Sequence, residues 1–125
     1  MRKFAVALVA IAILTEPATA QTMNAESFYQ RALKLQKKGM LALFAKKEIR
    51  ALSAEGKAAG EQAKRMREAD LKAGRNPRYC PPKGPQSMNS DEFMKRLAAI
   101  PAADRRRIDM TEVMTRIFAQ KFPCR

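Results

Sequence analysis

The side chains that could carry chemistry in this chain are two cysteines, one serine–lysine pair and two pairs of carboxylates. Cys80 and Cys124 lie 44 positions apart, and each stands beside proline. An even number of cysteines next to turn residues in an exported chain is typical of a structural disulfide, so we predict one bond between them and no free thiol. In the chain-entropy model, closing a loop of this length adds up to about 4 kcal/mol of stability.

Nucleophilic and metal chemistry have few candidate residues. The chain has no histidine, which excludes serine–histidine and cysteine–histidine nucleophiles and histidine-ligated metals. Ser53 and Lys57 are one helical turn apart, but their segment has no nucleophile turn, so we interpret them as an ordinary exposed pair.

The carboxylate pairs stand at predicted helix starts. Asp91 with Glu92, and Asp109 with Glu112, could serve as acid and base, but capping and the helix dipole already explain acidic residues there. An enzyme acting through them would lose activity when Glu92 or Glu112 is changed to glutamine. We predict that the protein is not an enzyme and has no catalytic, cofactor-binding or metal-binding residue.

The first twenty residues have the pattern of an export signal. Arg2 and Lys3 precede an apolar stretch, which is too short to span a bilayer, and small residues around Ala20 suit a signal peptidase. We predict that residues 1–20 are removed, leaving residues 21–125 as one periplasmic domain with a net charge of +12 (23 basic and 11 acidic residues). No other segment is predicted to insert stably in a membrane.

Helical periodicity runs through this domain. Asn24 is a predicted N-cap for a helix over residues 25–38, and the apolar run 40–44 is predicted to begin a helix buried on more than one side. A seam of mostly small residues then continues to residue 66, with Gly56 and Gly60 read as close packing or a local kink. Gly74 ends this long helix.

A proline-rich loop and two shorter helices complete the pattern. Residues 75–89, here called the Cys80 loop, contain too many helix breakers for regular structure. Asn89 and Asp109 each precede a glutamate by three residues, the pattern that predicts a capped helix start. The predicted fold is therefore all-α, a bundle of four to five helices linked by one disulfide.

Two stretches with a local excess of positive charge are residues 64–83 and 95–107. Such charge can attract nucleic acid, anionic lipid or an acidic protein, or can simply keep the protein soluble. We expect no nucleic-acid partner, because the chain is predicted to be exported and has no aromatic residues interleaved with the charges.

The C-terminal half resembles a known family. The order of Tyr79-Cys80-Pro81-Pro82-Lys83-Gly84, a capped helix, Ile100-Pro101 and a final helix running into Phe122-Pro123-Cys124 is similar to the resistance-associated and type VI amidase immunity (Tai) family. This resemblance implies a small helical periplasmic immunity protein that binds a peptidoglycan amidase effector of type VI secretion and blocks its cleft. It also implies a structural role for the two cysteines.

Two surfaces are candidates for contact with such a partner. One is the Cys80 loop, with Arg78 and Lys83, and the other is the long basic helix, with Lys64 and Arg67. An alternative function is a basic periplasmic binding or chaperone-like protein that contacts anionic envelope components, whose affinity should fall steeply with salt. A homodimer is a further alternative that the sequence allows.

Overall fold

Helices account for 69% of residues 22–125, the part of the chain that this computed structural model describes. In chain order the elements are α1 (Ala25–Lys37), a 3-10 helix (Gly39–Phe44), α2 (Lys46–Lys72), α3 (Ser90–Ala99), α4 (Ala102–Arg105) and α5 (Met110–Lys121). No strand occurs in this range, so the all-α prediction is confirmed, with five α-helices and one 3-10 helix. The predicted export signal lies outside the described residues. None of the described helices combines the length and apolar character needed to cross a membrane.

The predicted caps start three of these helices. The side-chain oxygen of Asn24 accepts hydrogen bonds from two backbone N–H groups in the first turn of α1. Asn89 accepts one from the backbone N–H of Glu92, at 2.8 Å, and Asp109 accepts one from that of Glu112, at 2.9 Å. Each bond satisfies a donor that the helix itself leaves unpaired.

The hydrophobic core forms where α2 packs against α5, the most extensive contact in the fold. Ala59 and Ala63 of α2 are buried in one cluster with Val113 and Ile117 of α5. Small residues on α2 allow the two helices to approach closely, as the seam predicted, although two of its larger members, Ile49 and Met66, are exposed.

The beginning of α1 is tied to the beginning of α5. An isolated antiparallel bridge joins Asn24 to Asp109. The N–H of Ala25 donates to the carbonyl of Ile108 at 2.9 Å, and the N–H of Met110 donates to the carbonyl of Met23 at 2.8 Å. This bridge brings together helix starts that lie more than eighty residues apart in the sequence.

A buried arginine joins three helices. The Arg105 side chain, from α4, donates from Nε to Glu26 Oε2 at 2.6 Å and stacks over the Tyr29 ring, 4.0 Å from its centroid. Its Nη1 donates to the carbonyls of Ile100 and Ala98, at the end of α3. A cation there satisfies carbonyls that the helix end leaves without partners.

The prediction of a buried helix over residues 40–44 is wrong. The segment Gly39–Phe44, here called the apolar turn, is a 3-10 helix with no buried residue. Pairs of lysines precede and follow it, so drawing it into the core would also draw charges out of water, which is costly.

Candidate functional site

The Cys80 loop is fixed to the fold near its middle. The disulfide joins Cys80 to Cys124, with 4.9 Å between their Cα atoms, as predicted from the sequence. The N–H of Cys80 donates to the carbonyl of Phe122 at 2.8 Å. The neighbouring Tyr79 is buried and packs on Phe118, with 5.1 Å between the ring centroids.

Beyond this anchor the loop projects into solvent. All residues from 82 to 87 are exposed, and Gly84 has a φ of +97°, a value that other residues rarely adopt. The Lys121 ammonium donates to the carbonyl of Ser87 at 3.2 Å, which holds the chain again after the exposed part. The loop is therefore an exposed tip between two attachment points.

The structure gives different environments to the four predicted contact residues. Arg78 forms a two-bond ion pair with Glu112, at 2.6 and 2.9 Å. Arg67 donates to the carbonyl of Tyr79 at 2.9 Å and so holds the loop anchor. Both arginines thus have structural roles, and of the two only Arg78 is exposed.

The two lysines extend into solvent. Lys64 is exposed and approaches Glu68 only at 4.0 Å. Lys83 is exposed at the tip of the Cys80 loop and forms no ion pair with another described residue. Of the four predicted residues, Lys83 is therefore the exposed one whose charge has no ion-pair partner among the described residues.

An apolar groove of about 590 Å³ adjoins the loop. Residues of α1, α2, α3 and α5 bound it, together with the end of the Cys80 loop at residues 86–89. Its apolar lining includes Phe28, Leu35, Ile49, Leu52, Phe93 and Met114. A concave apolar site of this size is typical of a surface that binds a ligand or a partner side chain.

A glycine on α2 leaves part of this groove free of side-chain atoms. Gly56 lines the groove, and a methyl group added there would meet no atom within 4 Å. At Gly60 an added methyl would lie 3.5 Å from Met114 Cε, an ordinary contact. Close packing is therefore wrong for Gly56, where the missing side chain leaves open space in the groove, and the alternative of a local kink stays a prediction.

Two of the four candidate acid–base carboxylates are bound in ion pairs. Hydrogen bonds from Lys121 and Arg96 hold the pKa of Glu92 below its ordinary value. For Glu112, the hydrogen bond from Arg78 lowers the pKa, against the opposing effect of burial. Carboxylates in these settings stay ionised and serve as structural anions.

The remaining candidates for chemistry are the serine–lysine pair and a possible metal site. Ser53 and Lys57 both line it, and no hydrogen bond joins their side chains. Within residues 22–125 there is no group of three or more acidic, cysteine or histidine side chains that could hold a metal ion.

The groove and the exposure of the apolar turn were not predicted from the sequence. The groove is formed by parts of four helices, and no local pattern reports such a meeting. The apolar turn did carry a signal, since lysine pairs on both sides of a short apolar run favour an exposed segment.

The site and fold together define a small disulfide-linked α-helical domain with an anchored loop beside an apolar groove. Comparisons with protein-family models, with curated proteins and with solved structures found no match to this chain.

Proposed function

We propose that the protein is a periplasmic immunity protein that binds a peptidoglycan amidase effector of type VI secretion and inhibits it. The proposal rests on the resemblance of the C-terminal half to the Tai family. The structural observation that supports it is the Cys80 loop, which is attached at the disulfide and at Ser87 and exposed between them.

An anchored loop suits inhibition of a cleft. Because its two ends are already fixed, the loop has less conformational entropy to lose when it enters a cleft, and this favours tight binding. The groove beside it offers a place for an apolar side chain of the partner. Inhibition of this kind requires shape and contact and does not require catalytic residues in the inhibitor.

The basic residues of the proposed contact surface predict the charge of the partner's surface. Lys83 at the tip, and the basic stretch of residues 64–83 with a net charge of +5 (seven basic and two acidic residues), favour a cleft with acidic residues at its rim. Charge complementarity of this kind increases the association rate and fixes the orientation of docking.

The test is whether the purified protein binds and inhibits a peptidoglycan amidase effector, with the product of the adjacent gene as the first one to assay. We expect Lys83→Glu to weaken binding at least about fivefold, because it reverses a charge at the centre of the contact. Lys95→Glu is the matched control, since Lys95 is also exposed, lies on α3 outside this stretch and forms no ion pair with a described residue. Arg78 is a poor probe, because changing it also breaks the pair with Glu112.

Three results would count against the proposal or its contact surface. No inhibition by the unchanged protein would refute the immunity function. Undiminished binding by Lys83→Glu, together with loss of binding by Lys64→Glu, would move the contact to the long helix. Binding that is abolished by moderate salt and is indifferent to both changes would favour the alternative of a charge-led binder of envelope components.

A further inference from the structure

The apolar turn is the most exposed apolar surface of the described chain. Its large side chains are mostly in solvent: 84% of Met40, 66% of Leu41, 64% of Leu43 and 86% of Phe44 is accessible. They occupy four of five successive positions in a 3-10 helix of six residues, which by its rise spans about 12 Å. A contiguous patch of this kind indicates an interaction surface, since scattered single residues are the ordinary case.

Cations bracket this patch on both sides. Residues 34–50 contain six basic side chains and one carboxylate, a net charge of +5. The six basic residues are all exposed, and none forms an ion pair with a described residue: they are Lys34, Lys37, Lys38, Lys46, Lys47 and Arg50. The single carboxylate, Glu48, is already held by Arg31 through two hydrogen bonds of 2.6 and 2.7 Å. The charge around the turn is thus entirely available to an anionic surface.

The chemistry of the patch favours lipid over protein. Five of the six cations are lysine, a residue depleted in protein–protein contacts, where arginine is enriched. Lysine extends its ammonium to phosphate while its stem lies along apolar material. A second copy of the chain is disfavoured as the occupant, because it would bring an equally positive surface against this one.

We propose that the apolar turn and its flanking cations dock the protein on an anionic phospholipid surface. The side chains of Met40, Leu41, Leu43 and Phe44 enter the boundary between headgroups and acyl chains, and the lysines meet the lipid phosphates. The contact is peripheral and reversible, because one short turn buries far less apolar surface than a spanning helix. The inference is independent of the immunity function, and the two concern different segments of the chain.

The first test is sedimentation of the purified protein with vesicles. The mass of the protein is measured beforehand, because a retained N-terminal apolar segment could itself bind lipid. We expect binding to vesicles that contain phosphatidylglycerol and weak binding to pure phosphatidylcholine. The double variant L43S/F44S should bind at least about tenfold less tightly, since it removes two apolar anchors. The matched control is M66S/L71S, which removes two other exposed apolar residues, on α2.

The second test separates charge from apolar insertion. In a buffer of low salt concentration, we expect the variant K37E/K38E to lose most of its binding to anionic vesicles. The variant K64E/K72E, with the same change in net charge, should lose much less. Thermal melting of every variant shows whether the fold is retained.

Several outcomes would overturn the proposal. One is failure of the unchanged protein to bind anionic vesicles. Another is an equal loss of vesicle binding in L43S/F44S and its control, or in K37E/K38E and its control. If L43S/F44S converts a dimer to a monomer in sedimentation velocity and leaves vesicle binding intact, the turn covers a second copy and not lipid. If it abolishes amidase binding and leaves vesicle binding intact, the turn contacts the protein partner.

Discussion

Arg105 shows how one side chain can connect elements that have little else in common. Its Nε bonds to Glu26 of α1, its Nη1 bonds to the carbonyls at the end of α3, and its own backbone belongs to α4. Only 6% of the residue is accessible to solvent. A charge in such a place is stable because it is paired and because its Nε and Nη1 donors have acceptors.

Replacing Arg105 should therefore destabilise the fold strongly. We expect Arg105→Ala to lower the free energy of unfolding by about 3 kcal/mol, because it leaves a partly buried carboxylate and the end of α3 without partners. Arg105→Lys should cause an intermediate loss, since lysine keeps the charge but not the forked geometry. Urea unfolding measures both.

The control for this prediction is Arg107→Ala. Arg107 is exposed two residues away, and changes at such positions seldom exceed about 0.5 kcal/mol. Equal effects at positions 105 and 107 would show that Arg105 has no special structural role.

Residues of this kind mark the limit of what the sequence predicts. The caps at Asn24, Asn89 and Asp109 were predictable, because a cap depends on residues within one turn of each other. Arg105 stands in a run of three arginines, and nothing local separates it from Arg106 and Arg107. Its role depends on α1 and α3 arriving beside it, which is a property of the tertiary structure.

At the scale of elements, the helices were predicted from local patterns, whereas the exposure of the apolar turn was not. Periodicity predicted α1, α2, α3 and α5, since each repeats apolar residues on one face. It failed for the apolar turn, because hydrophobicity alone does not say whether a short run is buried. The lysine pairs on both sides decide its exposure, through the cost of removing charges from water.

The disulfide stabilises the element that the proposed function requires. Cys80 and Cys124 are both exposed, so a reductant can reach the bond in the folded protein. We expect reduction, or the double change of both cysteines to serine, to lower the free energy of unfolding by up to about 4 kcal/mol. Urea midpoints with and without reductant give the difference, and identical midpoints would contradict the prediction.

The Cys80 loop should lose order in the same experiment. Amide hydrogens near Tyr79 should exchange faster after reduction, because every contact that remains there is noncovalent: two hydrogen bonds, one ion pair and the packing of Tyr79 on Phe118. Amides in the middle of α2 serve as the internal control, and they should change only as global stability changes.

At the scale of the whole molecule, the excess of basic residues determines how the acidic ones behave. Four glutamates have a pKa below the ordinary value of 4.5, because amide or basic side chains hydrogen-bond to the ionised carboxylate: Glu26, Glu48, Glu92 and Glu112. Their donors are, in turn, Gln30 with Arg105, Arg31, Lys121 with Arg96, and Arg78 with Arg116.

These lowered pKa values predict how stability depends on pH. A carboxyl whose pKa is lower in the folded state binds fewer protons there than in the unfolded chain, so acid favours unfolding. The stabilisation is complete above about pH 5 and is lost as the pH falls through 4.5 toward the folded-state values. Between pH 5 and 7 we expect a flat profile, because the chain has no histidine to titrate there.

Urea unfolding between pH 2 and 8 tests this prediction. Glu112→Gln should reduce the acid-dependent slope, since one of the four glutamates no longer titrates. Stability that rises as the pH falls from 6 to 4 would contradict it.

The position of the two cysteines also sets an order of events during synthesis. A ribosome delivers Cys80 first and Cys124 only after another 44 residues, so the first thiol remains unpaired while the last three helices emerge. The bridge from Asn24 to Asp109 has the same requirement, because α1 must wait for the start of α5. Both the disulfide and the bridge can therefore form only after most of the chain has been synthesised, and they become possible at nearly the same time. With only two cysteines present, a single intramolecular pairing exists, so an oxidant suffices and no reshuffling of bonds is needed.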